Sequence, residues 1–505
     1  MDLLNSRSRR TVPVSDRNYM FLNFTGGGNV EQVVFHVDVN SAFLSWEAVY
    51  RLKHLGGTRD LREGICAVGG DSSKRRGIIL AKSMKAKQFG VRTGESIMEA
   101  RKKCPQLELV PAHYNLYQES SKAFMDMLRE YSPNVEPYSI DEAFMDMTGM
   151  EKLFGPPEEA ANRIRERIKS ELGFTVNIGV SSNKLLAKMA SDFKKPNLVH
   201  TLFQDEIAEK MWPLPVRELF FVGRATEQKL SAMGIHTIGE LANTELSIVT
   251  SHLKKHGEVI WNFANGEAPD LVEPEAPDNK GYGNSTTISF DVTDAQIAKM
   301  VLLSLAETVG TRLRSHGVKA EVVSVSIKNN LLQSQGHQMV LAAPTNITAE
   351  LYQAACRLFE ELWDGAPIRH LGIHTTRIKE ESARQMSIFD TTDYEKLEKL
   401  DRAVDAIRGK FGTDAVKRAS FLPPDINGKE EKDNGKVSAQ GAKTALVPEE
   451  RNPGDGSAKE QDKTNKTNKT AGKAETRKRA GRIDHMSGGI SREKLTVDYS
   501  RIKID

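Results

Sequence analysis

Three runs, VVFHVDV (33–39), EAFMDMT (142–148) and TVNIGVS (175–181), limit most tightly what this chain can fold into. Each is short and largely apolar, the pattern of a strand buried in a sheet. Helical patterns alternate with them: SAFLSWEAVYRLKHL (41–55), YQESSKAFMDMLREYS (117–132), PEEAANRIRERIKSEL (157–172) and NKLLAKMASDF (183–193). Pro157 opens the third of these, where a missing N–H is harmless. ICAVGG (65–70) and GIILA (77–81) read as further strands, and two short basic helices follow around 83–89 and 95–103. The alternation predicts an α/β or α+β core with helices packed on a sheet.

Beyond WPLPV (212–216) the texture changes to short helices and Gly turns up to about residue 270. The Pro- and acid-rich EAPDLVEPEAPDNKG reads as a linker. Residues 283–378 then form a strand–helix–strand–strand–helix–strand unit. From about 424 to 485 the chain is mostly Lys, Glu, Asn, Gly, Thr and Ser, too polar to offset its ordering entropy, so a disordered tail is expected. The first 29 residues read as a flexible extension, with Gly26–Gly28 as a joint and no continuous apolar core of a signal peptide. No apolar run approaches the ~20 residues of a membrane span, so no membrane partner is expected. Cys66, Cys104 and Cys356 form no CxxC pair, which suits a reducing cytoplasm. A net charge of +3 over 505 residues announces no nucleic-acid partner by itself.

YSIDEAF (138–144) poses the chemical question, because Asp141 and Glu142 are adjacent and strand neighbours point to opposite faces. In a turn entering the strand, both side chains can aim at one edge. Asp38, at the end of the 33–39 strand, would bring a third carboxylate there. Three such charges repel unless cations separate them. Mg²⁺ takes hard oxygen ligands and substrate phosphates, and two ions ~4 Å apart suit phosphoryl transfer. Any one of these acids alone is what an ordinary turn contains.

FHVDVNSAF, GGDSSKRRGIILAKSMKAKQFGVRTG, EPYSIDEAFMDMT, GVSSNKLLAKMASDFKKP and WPLPV, in that order, resemble the signature blocks of Y-family DNA polymerases. The group they resemble is the bacterial DNA polymerase IV type, in its Gram-positive branch, over residues 33 to about 420. The resemblance implies a multidomain α+β right hand. A ferredoxin-like palm would occupy 30–50 and 106–205, and small fingers 51–105. A helix–hairpin–helix thumb would span 206–270, a linker 271–282, and a little-finger αβ domain 283–380. A clamp-binding peptide and helix would follow at 385–421, then the mostly disordered tail 422–505.

The same resemblance assigns roles. Asp38 and Asp141 would bridge two Mg²⁺ ions, Glu142 would hold the catalytic one, and the Val39 carbonyl would complete the nucleotide-metal site. Asn40, Ser41, Ala42 and Phe43 would meet the dNTP at a helix start, whose free N–H groups suit a triphosphate. Phe43 matches the steric gate against a ribose 2′-hydroxyl, although its spacing is equally that of a core aromatic. Lys195 matches the lysine that reaches the triphosphate, although a surface lysine looks the same. Met84 and Lys87 stand where the family presents a Tyr and an Arg, and Ala81 replaces a Thr. Lysine lacks arginine's bidentate fork, so weaker nucleotide binding is expected. Asn40 stands where many relatives carry a second Asp.

FFVGRATEQKLSAMGIHTIGELA (220–242) resembles the thumb hairpin, with Gly223, Arg224 and Lys229 placed for phosphate contact and Ala225 read as the substitute for a second glycine. A plain helical hairpin is the alternative. The basic TRLRSHGVKAEVVSVSIKNN suits a duplex backbone. QMSIF (385–389) resembles a bacterial sliding-clamp peptide, with Ile388 and Phe389 as apolar anchors and Gln385 at the rim. A loop packed on its own domain would read the same. The implied activity is error-prone translesion synthesis on primed DNA with dNTPs, by a monomer tethered to the clamp (the β subunit of DNA polymerase III). A weakly active or inactive DNA- and clamp-binding paralogue, and a palm-based cyclase, are the competing readings.

Overall fold

The computed structural model describes residues 32–70, 77–268, 271–274, 279–380 and 392–421. These fall into two compact units that divide between residues 278 and 279. The 1–29 extension, Arg75 and Arg76, QMSIF and the 422–505 tail lie outside the described residues.

The first unit opens with β1 (Val34–Val39), buried along its whole length, and α1 (Ala42–His54). A small excursion follows: β2 (Cys66–Gly69), β3 (Ile79–Lys82), α2 (Met84–Gln88), α3 (Ile97–Lys103) and β4 (Glu108–Pro111). Its three strands pair in the order β3-β2-β4. Ala67, Ile79, Ala86, Ile97 and Leu107 give it a core of its own. The chain returns through α4 (Tyr114–Arg129), β5 (Val135–Pro137) and β6 (Glu142–Asp146). Then come α5 (Glu151–Phe154), α6 (Pro157–Arg167), β7 (Val176–Ser181), α7 (Lys184–Asp192) and β8 (Val199–Thr201). The 157–172 helix is α-helical only to Arg167. Its last turn, Ile168–Leu172, widens to π geometry and stops at Gly173, whose φ is +83°.

The main sheet runs β5-β6-β1-β7-β8. β1 lies antiparallel to both β6 and β7, so its apolar run is covered on every side. Strands β1, β5, β6 and β7, with their intervening helices, make the ferredoxin-like arrangement, to which β8 adds a parallel edge. Helix α7 crosses β7 very closely. A Cβ on Gly179 would fall 1.9 Å from the Ala187 carbonyl oxygen. One part of α7, Ala187, packs with Val34 and Phe144 of the sheet. Leu185, Leu186, Met189 and Ala190 join a second core with the helices that follow. These are α8 (Ile207–Lys210), α9 (Arg224–Ala232), α10 (Ile238–Ala242), α11 (Leu246–Leu253) and α12 (Lys255–Ala264). Thr237 and Glu240 close a reciprocal capping box at the start of α10.

The second unit comprises β9 (Gly281–Val292), α13 (Ala295–Ser315), β10 (Val318–Asn329), β11 (Ser334–Thr345), α14 (Thr348–Leu362), β12 (Ile368–Glu380) and α15 (Tyr394–Phe411). Its antiparallel sheet runs β11-β10-β12-β9. Val323, Val325 and Ile327 alternate inward onto α13 and α14, leaving Ser324, Ser326 and Lys328 on the opposite face. α15 packs back on this unit through charge. The Arg314 guanidinium bonds Asp401 and Asp405 of α15, the Asn346 carbonyl and the Thr348 hydroxyl. Buried Glu307 accepts from Arg408 and Arg418.

Candidate active site

β1 ends at Asp38, and the register sets Asp38 directly opposite Glu142 of β6. Asp141 precedes β6, and its carbonyl accepts from the Val39 N–H at 3.0 Å. Two adjacent acids thus reach one strand edge because the first lies outside the strand. A cleft of about 440 Å³ opens at this edge, lined among others by Asp38, Val39, Asp141, Phe43, Met84 and Lys195.

The carboxylates have separate partners. Asp38 is paired with Lys195, which also binds Asp192 at 2.8 Å. Asp141 accepts from the Ser139 hydroxyl at 2.7 Å. Glu142 is held by both oxygens on Lys188, at 3.0 and 3.1 Å. Lys188 is itself buried, with its ammonium 5.0 Å from the Tyr138 ring centre and 5.5 Å from that of Phe220. Asp38 and Asp141 line one cleft, while Glu142 is paired with Lys188 of α7. Among the described residues no three acidic, His or Cys side chains are gathered to hold a metal ion. The donor chemistry nevertheless suits a hard divalent cation, since all three groups are carboxylates from one strand edge beside a backbone carbonyl.

Burial pushes the Asp38 carboxyl up to about 6, against the pull of Lys195 and with the help of Glu142. Burial works against Lys195, but Asp38 and Asp192 together raise it. His36, two residues before Asp38, lies against Phe144 and 2.8 Å from the Ser191 hydroxyl. Burial, then Lys188 and Lys195, hold it well below the usual imidazole range, so it stays neutral.

Ser41 enters α1 in the left-handed region (φ 48°) and gives the helix no side-chain cap. Its hydroxyl donates instead to the Lys82 carbonyl at 3.1 Å. The first-turn N–H groups of α1 are left for an anion. Asn40 lines the cleft, but both ends of its amide serve the protein: the nitrogen donates to Asn177 and the oxygen accepts from the Asn197 N–H. It positions the loop after Lys195.

Phe43 is half-buried and stacks on Tyr117, with centroids 4.6 Å apart and planes at 22°. Tyr117 donates to Glu47 at 2.8 Å, and His113 Nδ1 lies 2.7 Å from the same oxygen. Glu47 is wholly buried. A positioned ring and a plain core aromatic are both satisfied here, because Phe43 lines the cleft and the core at once. Met84 and Lys87 are exposed and line the same cleft, joined by Arg62 and Lys82. Sequence reasoning passed over these last two, as well as Lys188, Glu47 and Tyr117. Lys82 is two residues from Met84, and Glu47 is four from Phe43. Arg62, Tyr117 and Lys188 come from distant segments.

In the helical part, Gly223, Arg224, Ala225 and Lys229 are all exposed around the start of α9. Ala225 lies in the first turn of that helix and needs no glycine. The left-handed position of the hairpin is Phe221, at φ 69°, with its ring exposed beside Phe220 and Phe263. That corrects the reading of Ala225 as the substituted glycine. Gln385, Ile388 and Phe389 lie outside the described residues.

Residues 37–192 match the impB/mucB/samB family, 204–235 the IMS family HHH motif, and 279–388 the impB/mucB/samB family C-terminal domain. DNA polymerase IV of Clostridium acetobutylicum is 42% identical over 397 residues, covering 78% of this chain and 99% of that protein. This chain belongs to the Y-family of DNA polymerases. Within that family its likeness is to the DNA polymerase IV group, which includes DNA polymerase IV 2 of Bacillus subtilis, 37% identical over 78% of this chain and 95% of that one. A solved Y-family DNA polymerase chimera shares the fold at a TM-score of 0.59 and 20% identity, over 69% of this chain and 99% of the chimera.

Proposed function

We propose that this Y-family member is an error-prone, template-directed translesion DNA polymerase of DNA damage tolerance, working as a monomer in the cytoplasm. DNA-directed DNA polymerase activity follows from the family. The finer reading rests chiefly on one observation: Asp38 and Asp141 share a cleft with Lys195, Phe43 and an uncapped helix start. The reaction is attack of a primer 3′-hydroxyl on the α-phosphate of a template-paired dNTP, releasing pyrophosphate. Asp38, Asp141, Glu142 and the Val39 carbonyl would hold two Mg²⁺ ions, which would lower the pKa of that hydroxyl and offset phosphate charge. Lys195 and the α1 amides orient the triphosphate, and Phe43 closes the space of a ribose 2′-hydroxyl. Lys188 holds both oxygens of the Glu142 carboxylate and keeps it aimed until it is needed. Gly223, Arg224, Ala225 and Lys229 bind duplex phosphates without reading sequence.

The test is extension of a primed template in Mg²⁺. Asp141→Ala with Glu142→Ala should lower extension by at least about 10³-fold while leaving duplex binding intact. A folded, DNA-binding wild type that extends nothing would favour the accessory paralogue instead. QMSIF would tether the enzyme to the sliding clamp by raising effective concentration. Replacing Ile388 and Phe389 with alanine should abolish stimulation by the clamp and spare basal synthesis. Stimulation unchanged by the double substitution would reject that role.

A further inference from the structure

The palm lysines beside the carboxylates are committed. Lys184 holds Glu136, Lys188 holds Glu142, and Lys195 holds Asp38 and Asp192. Across the cleft, Arg62 is bound to Asp60. Lys82 and Lys87 differ. Both line the cleft, and neither pairs with a carboxylate among the described residues. Lys82 donates only to a neutral group, the Thr93 hydroxyl, at 3.1 Å. Glu95, the acid whose charge acts on it, is already taken by Lys103 and by the Arg92 N–H.

We propose that Lys82 is a triphosphate-binding residue, acting with Lys87 as a two-lysine anion clamp on the fingers side of the nucleotide cleft. The reading rests on the polymerase function proposed above and names a residue it did not use. Three features place Lys82 for the task. It stands at the end of β3, and its carbonyl is tied to Ser41, so its backbone is fixed to the uncapped start of α1. Thr93 steadies the ammonium without neutralising it. Burial and then Lys87 depress its pKa, as expected of two like charges crowded beside a space that awaits an anion. Met84 and Lys87 together lose a hydroxyl and a guanidinium fork but no charge, and the second lysine adds one charge. Nucleotide affinity in this chain is then carried by point charges rather than by a planar fork, with less demand on phosphate geometry.

The experiment uses full-length protein and compares wild type with Lys82→Ala, Lys82→Arg and Thr93→Ala. Inorganic tripolyphosphate is the binding probe, titrated by calorimetry, and KM for dNTP is measured in primer extension. Lys82→Ala should weaken tripolyphosphate binding and raise KM by about tenfold each, with kcat changed far less. Lys82→Arg should recover most of both, and Thr93→Ala should lie between. Thermal melting should be unchanged, since the Ser41 bond uses the backbone of residue 82. Equal tripolyphosphate affinity in wild type and Lys82→Ala would overturn the proposal, as would a KM unchanged while kcat falls. An inactive wild type would overturn the polymerase reading alone, because the calorimetric comparison still judges Lys82.

Discussion

Arg314 in the second unit and Lys195 beside Asp38 are both cations drawn against carboxylates, yet their surroundings differ. Arg314 spends its fork on two carboxylates, a carbonyl and a hydroxyl, and Asp401 also accepts from the Thr348 N–H at 2.7 Å. Every charge in that cluster has fixed geometry and several partners. At the site, one lysine ammonium each holds Asp38 and Glu142, a hydroxyl holds Asp141, and burial raises the Asp38 carboxyl to about 6. The first arrangement locks a helix in place. The second holds charge in a form that a ligand can take over. Fork-and-carboxylate clusters with full hydrogen bonding mark architecture, and lysine-held acids at a cavity mark chemistry.

The sharpest way to break this contrast is Arg314→Leu. It strands buried Asp401 and half-buried Asp405, and should cost the second unit about 3–5 kcal/mol. Hydrogen exchange of the α13 and α15 amides would read the loss, and KM for dNTP should not move. Protection that survived the change would mean the cluster is ornament rather than lock. Asp38→Asn should do the reverse. Asp38 titrates near 3.8 when unfolded and about 6 when folded, so the native state binds the proton more tightly. The ionised group therefore burdens the fold above pH 6, and not at all below 3.8. Without divalent metal, Asp38→Asn should be stabilised by up to about 3 kcal/mol at pH 7.5, with the gain gone by pH 3.5. Thermal melts at the two pH values decide it, and a gain that persists in acid would disprove the titration. The smallest expected effect is that of Tyr117→Phe. It keeps the ring under Phe43 but removes the bond to Glu47, and should reduce discrimination of dNTP over rNTP by about two- to fivefold. Single-nucleotide incorporation with both sugars measures this, and unchanged discrimination would show that Phe43 needs no such support.

Much of the first unit's main sheet was legible in the sequence, because VVFHVDV and TVNIGVS are apolar enough to admit only buried strands. The strand–helix order of the second unit was equally plain. α15 shows where such reading stops. Its apolar Leu400, Ile407 and Phe411 face outward, while Asp401 and Arg408 are buried. Periodicity locates the stripe but assigns the wrong face to the core, since partners on α13 about 90–100 residues away decide burial. Glu142 illustrates the same limit, because Lys188 and the sheet register, not its neighbours in sequence, set where it points. Phe221 was missed for another reason. An aromatic residue seldom accepts a left-handed backbone, so nothing in its chemistry advertises the turn.

The contact between Gly179 and the Ala187 carbonyl has a consequence for inheritance. Any missense change of a glycine codon adds a Cβ, and here a Cβ would lie 1.9 Å from that oxygen, with no side chain to swing aside. Codon 179 should therefore behave as an all-or-none locus. In a saturation library selected for activity, synonymous changes would survive there and the missense class would be empty. A drifting population would keep that codon's meaning while its neighbours wandered.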